Sequence, residues 1–93
     1  MPLFLVERQL PSLTTDDLGL AQRALVDSSR RLRAGGQEIR YLRSTLASSS
    51  GHCYCLFDAA TQELVSEVNR TAQFPFTRIE EVLDLPAPAR GER

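Results

Sequence analysis

The chain has 93 residues, a formal net charge of −1 and ordinary apolar and charged fractions of 42% and 25%, which suit one globular domain. That balance supplies no bulk attraction for nucleic acid or for an anionic membrane, and neither is an expected partner. A domain this small buries only about two-thirds of the surface its unfolded chain exposes, so a second subunit would add to its stability.

The first residues, Met-Pro-Leu-Phe-Leu-Val-Glu-Arg, carry no basic leader and only a short apolar run. They read as a strand over 3–8, with Pro11 marking its exit. No stretch approaches the roughly 18 apolar residues of a membrane helix. The expected location is therefore the cytoplasm, where Cys53 and Cys55 stay reduced.

Leu13-Thr-Thr-Asp-Asp-Leu18 is a helix start. Thr14 is the N-cap, Asp17 completes a capping box, and Leu13 and Leu18 are spaced as a hydrophobic staple. Leu18, Ala21, Leu25 and Leu32 keep helical spacing, with Ser28 in the same stripe. Arg30, Arg31 and Arg33 suit the last turn and Gly35-Gly36 ends it.

Residues 39–46 and 52–58 read as two strands of a hairpin around the polar turn Ala47–Gly51. Thr61 caps a second helix with an apolar face of Leu64, Val65, Val68 and Ala72. This helix stops before Pro75, because the residue preceding a proline resists helical angles. Residues 77–85 read as a last strand, and the proline-bearing stretch 86–93 as a disordered tail behind a domain at 1–85.

This order is α+β, of the ferredoxin-like βαββαβ kind: a four-stranded antiparallel sheet with two helices on one face. Along the first strand Phe4 and Val6 oppose Leu3 and Leu5. Along the third, Tyr54 and Leu56 oppose Cys53, Cys55 and Phe57. Both faces carry apolar residues, yet two helices cover only one. The expected cover for the other is a second copy packed through the open sheet face, a homodimer of the dimeric α+β barrel type.

Several charges interrupt these strands. Glu7, Arg8, Arg43, Asp58 and Glu80 lie in or at the ends of apolar runs, with Tyr41 and Tyr54 nearby. Buried charges must be paired or line a wet pocket. Glu7, Tyr41, Arg43, Tyr54 and Asp58 are accordingly the candidate ligand pocket; the alternative is a rim of surface ion pairs. All eleven basic residues are Arg, and their scatter reads as coding bias rather than as an anion-binding cluster. Cys53 and Cys55 share a strand face that His52 does not, and Cys-x-Cys is not zinc spacing. Both read as small buried hydrophobes. No phosphate loop, nucleophile–base pair or paired-His motif is present, so no catalytic residue is assigned.

Taken in order, Leu5-Val-Glu-Arg8, Ile39-Arg-Tyr-Leu-Arg-Ser44, Cys55-Leu-Phe-Asp-Ala59 and Pro75-Phe-Thr-Arg-Ile-Glu-Glu-Val82 resemble a small bacterial family formerly described as a domain of unknown function and now as nickel-binding. The resemblance covers residues 3–83. It implies a ferredoxin-like homodimer and, for some members, Ni(II) as the bound cofactor, with no other cofactor expected. Glu7 matches the acidic position closing the first strand, Tyr41 stands where the family has Trp, and Ser44, Cys55 and Arg78 match its Ser, Cys and Arg. Asp58 replaces a Glu, Asn69 a helix His, Gln73 a Gly, and Ser48 or Ser49 a turn Asp. His52 and Cys55 are the candidate metal ligands.

Three functions follow as expectations. The first is a homodimer binding a small ligand or metal ion. The second is a small pathway enzyme of the dimeric α+β barrel type, akin to cyclases, isomerases or monooxygenases. The third is a partner-binding module using the open face.

Overall fold

The computed structural model describes residues 1–88. Its elements run β1 (Leu3–Gln9), α1 (Thr15–Ala34), β2 (Ile39–Ala47), β3 (His52–Ala59), α2 (Gln62–Thr71) and β4 (Arg78–Val82). The strands form one antiparallel sheet in the order β2-β3-β1-β4. This is the expected ferredoxin-like arrangement.

The local signals act as their chemistry requires. Thr14 caps α1: its hydroxyl accepts from the Asp17 N–H at 3.0 Å, and the Asp17 carboxylate accepts from the Thr14 N–H at 3.3 Å. Gly35 ends that helix and Thr61 caps α2. At the hairpin, Gly51 has φ +79°, and a Cβ there would lie 2.5 Å from Cα of Pro11. Only glycine fits, because the strand exit after β1 crosses directly over the turn.

Alternation divides the sheet. Phe4, Val6, Cys53, Cys55, Phe57 and Ala59 are buried beneath the helices, with Leu18 and Leu25 of α1 and Val65 and Val68 of α2 above them. The opposite, open face has three rows read from β2 to β4: Arg40, Asp58, Leu3, Val82; then Arg43, Leu56, Leu5, Glu80; then Thr45, Tyr54, Glu7, Arg78.

Two details differ from the expected pattern. A register shift between Tyr41 and Arg43 inserts one extra residue into β2, so these two side chains fall on opposite faces. The last strand stops at Val82, short of residue 85, because Val82 pairs with Leu3, where β1 begins. Leu83 and Leu85 are left exposed. Of the tail expected over 86–93, residues 86–88 carry no secondary structure and the rest lie outside the described residues.

Candidate functional site

The candidate pocket residues divide between the two faces. Glu7, Arg43, Tyr54 and Asp58 stand on the open face; Tyr41 points beneath the helices. The candidate metal ligands divide in the same way, with His52 on the open face and Cys55 on the buried one.

On the open face Glu7 is half-buried in the central strand. The Arg78 Nε donates to Glu7 Oε1 at 2.8 Å, and Arg78 Nη2 lies 3.2 Å from Glu80 Oε1. These carboxylates hold the exposed Arg78 guanidinium above its usual pKa, the hydrogen bond to Glu7 contributing most. His52 enters β3 with its ring stacked toward Tyr54, centroids 6.2 Å apart, and Nδ1 3.0 Å from the Ser50 hydroxyl. Asp58 lies between Arg40 and Leu3 in the outer row. Among the described residues, no carboxylate stands within 4 Å of the exposed Arg43 guanidinium.

The buried face holds a polar network inside the core. Gln22 of α1 donates to the Tyr41 hydroxyl at 2.7 Å; Tyr41 meets the Ser44 hydroxyl at 2.6 Å, and Ser44 meets the Cys55 thiol at 2.8 Å. The extra residue in β2 makes this chain possible, because it returns Ser44 to the face that Tyr41 occupies. Burial raises the Tyr41 pKa, against the two hydroxyl and amide bonds that lower it.

Arg8 lies at the other end of that face, 1% exposed and directly across the sheet from Cys53. Its Nη1 donates to the carbonyls of Phe74 and Pro75 at 3.0 and 3.3 Å, and its Nη2 to Asn69 Oδ1 at 2.7 Å. The guanidinium carbon sits 3.8 Å from the centre of the Phe74 ring, a cation–π contact in a desolvated setting. Burial lowers the pKa of this arginine, while the thiols of Cys55 and Cys53 and the Tyr41 phenol act to raise it. Arg8 Nε has no hydrogen-bond partner among the described residues. Beside it opens a cleft of about 120 Å³ lined by Arg8, Pro75 and Phe76 among others, below the several hundred Å³ of an organic-ligand pocket.

The residues of one chain do not fit a nickel centre. Among the described residues, no three His, Cys, Asp or Glu side chains gather at one point. Ni(II) takes nitrogen and oxygen donors in sets of four to six. The lone His52 is separated from the thiols by the thickness of the sheet. Burial, followed by the charge of Cys55, pushes the Cys53 thiol up to about 11, which disfavours a thiolate there. The fixed charge of Arg8 occupies the same face and repels a second cation.

Arg8 and Asn69 were not among the predicted site residues. Alternation with Phe4 and Val6 assigns Arg8 to the buried face, but its charge argues for the rim. Asn69 stands out only as the replacement for a His that the resemblance leads one to expect.

Three comparisons bear on this arrangement. Residues 4–82 match the model of a protein family described as nickel responsive protein SCO4226-like. The crystal structure of SCO4226 from Streptomyces coelicolor A3(2) superposes with a TM-score of 0.76 at 22% identity, covering 89% of this chain and 99% of that one. At that identity the likeness establishes the fold. No curated protein matches the chain. Among the described residues, no helix is long and apolar enough to cross a membrane.

Proposed function

The chain belongs to the SCO4226-like family of nickel responsive proteins, and from that premise we propose that it is a cytoplasmic homodimer that binds a small ligand or a metal ion between its two sheets. The observation that carries this reading is the open face. Leu3, Leu5 and Leu56 form an apolar middle that neither helix covers, bordered by Arg40 and Arg43 on one side and by Arg78 and Glu80 on the other. An apolar centre inside a charged rim is the anatomy of a protein interface. Two such faces packed at the usual sheet spacing of about 10 Å give a dimeric α+β barrel.

Within that barrel Glu7, Tyr54, Arg43 and Asp58 become the walls of a shared compartment. A carboxylate, a phenol and a guanidinium together offer acceptors, a neutral donor and a fixed positive charge, the mixture that orients a small polar ligand. Nickel would require donors pooled from both copies, since the set of a single chain is too small. His52 and the carboxylates of the open face supply the nitrogen and oxygen atoms of such a pool.

Native mass spectrometry of the untagged protein with and without Ni(II) tests the reading. A dimer with stoichiometric nickel supports metal binding across the interface. A dimer that ignores nickel supports the organic-ligand form of the proposal. A monomer at micromolar concentration that takes up neither overturns it.

A further inference from the structure

We infer that the two copies pack with their two-fold axis along the strands, so that Arg43 of each protomer meets the partner's Glu80. This rests on the homodimer proposed above and specifies its geometry. The middle row of the open face reads Arg43, Leu56, Leu5, Glu80 from β2 to β4: positive at one end, negative at the other, apolar between.

Two sheets packed face to face with their strands aligned have two choices of axis in the interface plane. An axis along the strands lays the row on its own reversal. Arg43 then stands over the partner's Glu80, and Leu56 over the partner's Leu5. An axis across the strands instead lays β2 on β2 and gathers Arg40 and Arg43 of both copies along one edge. Four guanidinium groups with no facing carboxylate make that arrangement repulsive.

The geometry accommodates the first choice. Strands β2 and β4 are three strand spacings apart, about 14 Å. The usual offset of about 30° between packed sheets displaces the ends of the row by about 4 Å, which two long side chains span. Arg43 has no carboxylate within ion-pair distance among the described residues, and Glu80 is 54% exposed beside Arg78. Both are therefore available to a partner.

The same axis has a consequence for the ligand compartment. Tyr54 of one copy comes over the partner's Glu7, because both lie in the third row on the two central strands. Each carboxylate–phenol corner takes one group from each protomer, and a single chain holds only half of it.

The test is a charge exchange read by native mass spectrometry. Arg43→Glu and Glu80→Arg are made separately, checked for native far-UV circular dichroism, then mixed. Each variant alone places like charges at both ends of its homodimer interface and should self-associate at least about tenfold more weakly than the wild type. The mixture restores two Arg–Glu contacts, so the heterodimer should exceed its statistical share of one half by a wide margin. Variants that each dimerise as tightly as the wild type overturn this axis and leave the homodimer standing, whatever the mixture gives, because an axis across the strands also favours the heterodimer. A wild-type protein that is itself monomeric overturns the homodimer and this inference with it.

Discussion

Arg8 and Asn69, 61 positions apart in the chain, are joined by a 2.7 Å hydrogen bond in which Nη2 of the guanidinium donates to Oδ1 of the amide, both side chains being wholly buried. The amide nitrogen of Asn69 is also used, donating to the carbonyl of Val65 at 2.8 Å. Asn69 thus ties the end of β1 to α2, and Arg8 carries the tie onward to the carbonyls of Phe74 and Pro75. A buried charge is tolerated only while its acceptors are in place.

Asn69→Ala removes the one side-chain acceptor of Arg8 among the described residues and should destabilise the fold by about 1.5–3 kcal/mol, the range for a hydrogen bond to a charged group. Urea unfolding measures it; a loss below about 0.5 kcal/mol would show that the pair contributes little. Asn69→His, which restores the residue implied by the family resemblance, should leave nickel uptake unchanged because Arg8 remains. Stoichiometric nickel in that variant and not in the wild type would contradict the electrostatic argument.

Stability should fall in alkali because of Cys53. Its thiol is raised by burial from 9.0 to about 11, so between these values the unfolded chain releases a proton that the folded chain keeps. The stabilisation is complete below pH 9 and is lost as the pH rises through the folded value. Tyr41, also raised by burial from 10.0, acts in the same direction above pH 10. Thermal melts of the wild type should be flat below pH 9 and decline from 9 to 11, with a shallower decline in Cys53→Ala. Equal slopes in both proteins would remove Cys53 from the account.

What the sequence made legible was whatever is encoded locally. The Thr14–Asp17 capping box, the Thr61 cap, the apolar stripes of both helices and the alternation of β1 and β3 all depend on residues within a few positions of one another. The extra residue in β2 leaves no such mark. Strict alternation sets Tyr41 and Arg43 on one face, and only the pairing with β3 reveals that they part. Arg8 posed a conflict between periodicity, which buries it, and charge, which exposes it. Its acceptors lie 61 to 67 positions away, beyond any local pattern. Two of the departures from the family resemblance, Asn69 and Gln73, fall where the structure makes a specific demand.

Gln73 is the second of these. It lies just past α2 with φ +56°, the sole positive φ among the described residues other than glycine. A side chain in the left-handed region costs about 1 kcal/mol, which glycine avoids. Gln73→Gly should therefore stabilise the protein slightly, by up to about 0.5 kcal/mol once the greater freedom of the unfolded glycine chain is subtracted. The denaturant midpoint should rise with no change in its slope. A lower midpoint would mean that the side chain makes contacts worth more than the strain.

Leu56 decides whether the open face is covered in solution. It stands in the centre of that face, half-buried, between Arg43 and Leu5 in the middle row. In a lone protomer an Asp there would meet water and leave the core beneath the helices untouched. Between two packed sheets it would be an unpaired charge facing apolar side chains, which no interface tolerates cheaply. Leu56→Asp should keep its secondary structure and become monomeric. Because a dimer gains stability by mass action, the wild-type melting midpoint should also rise with protein concentration while that of the variant stays fixed. Midpoints independent of concentration in both proteins, with both sedimenting as monomers, would leave the open face without its partner and the compartment between the sheets without its second wall.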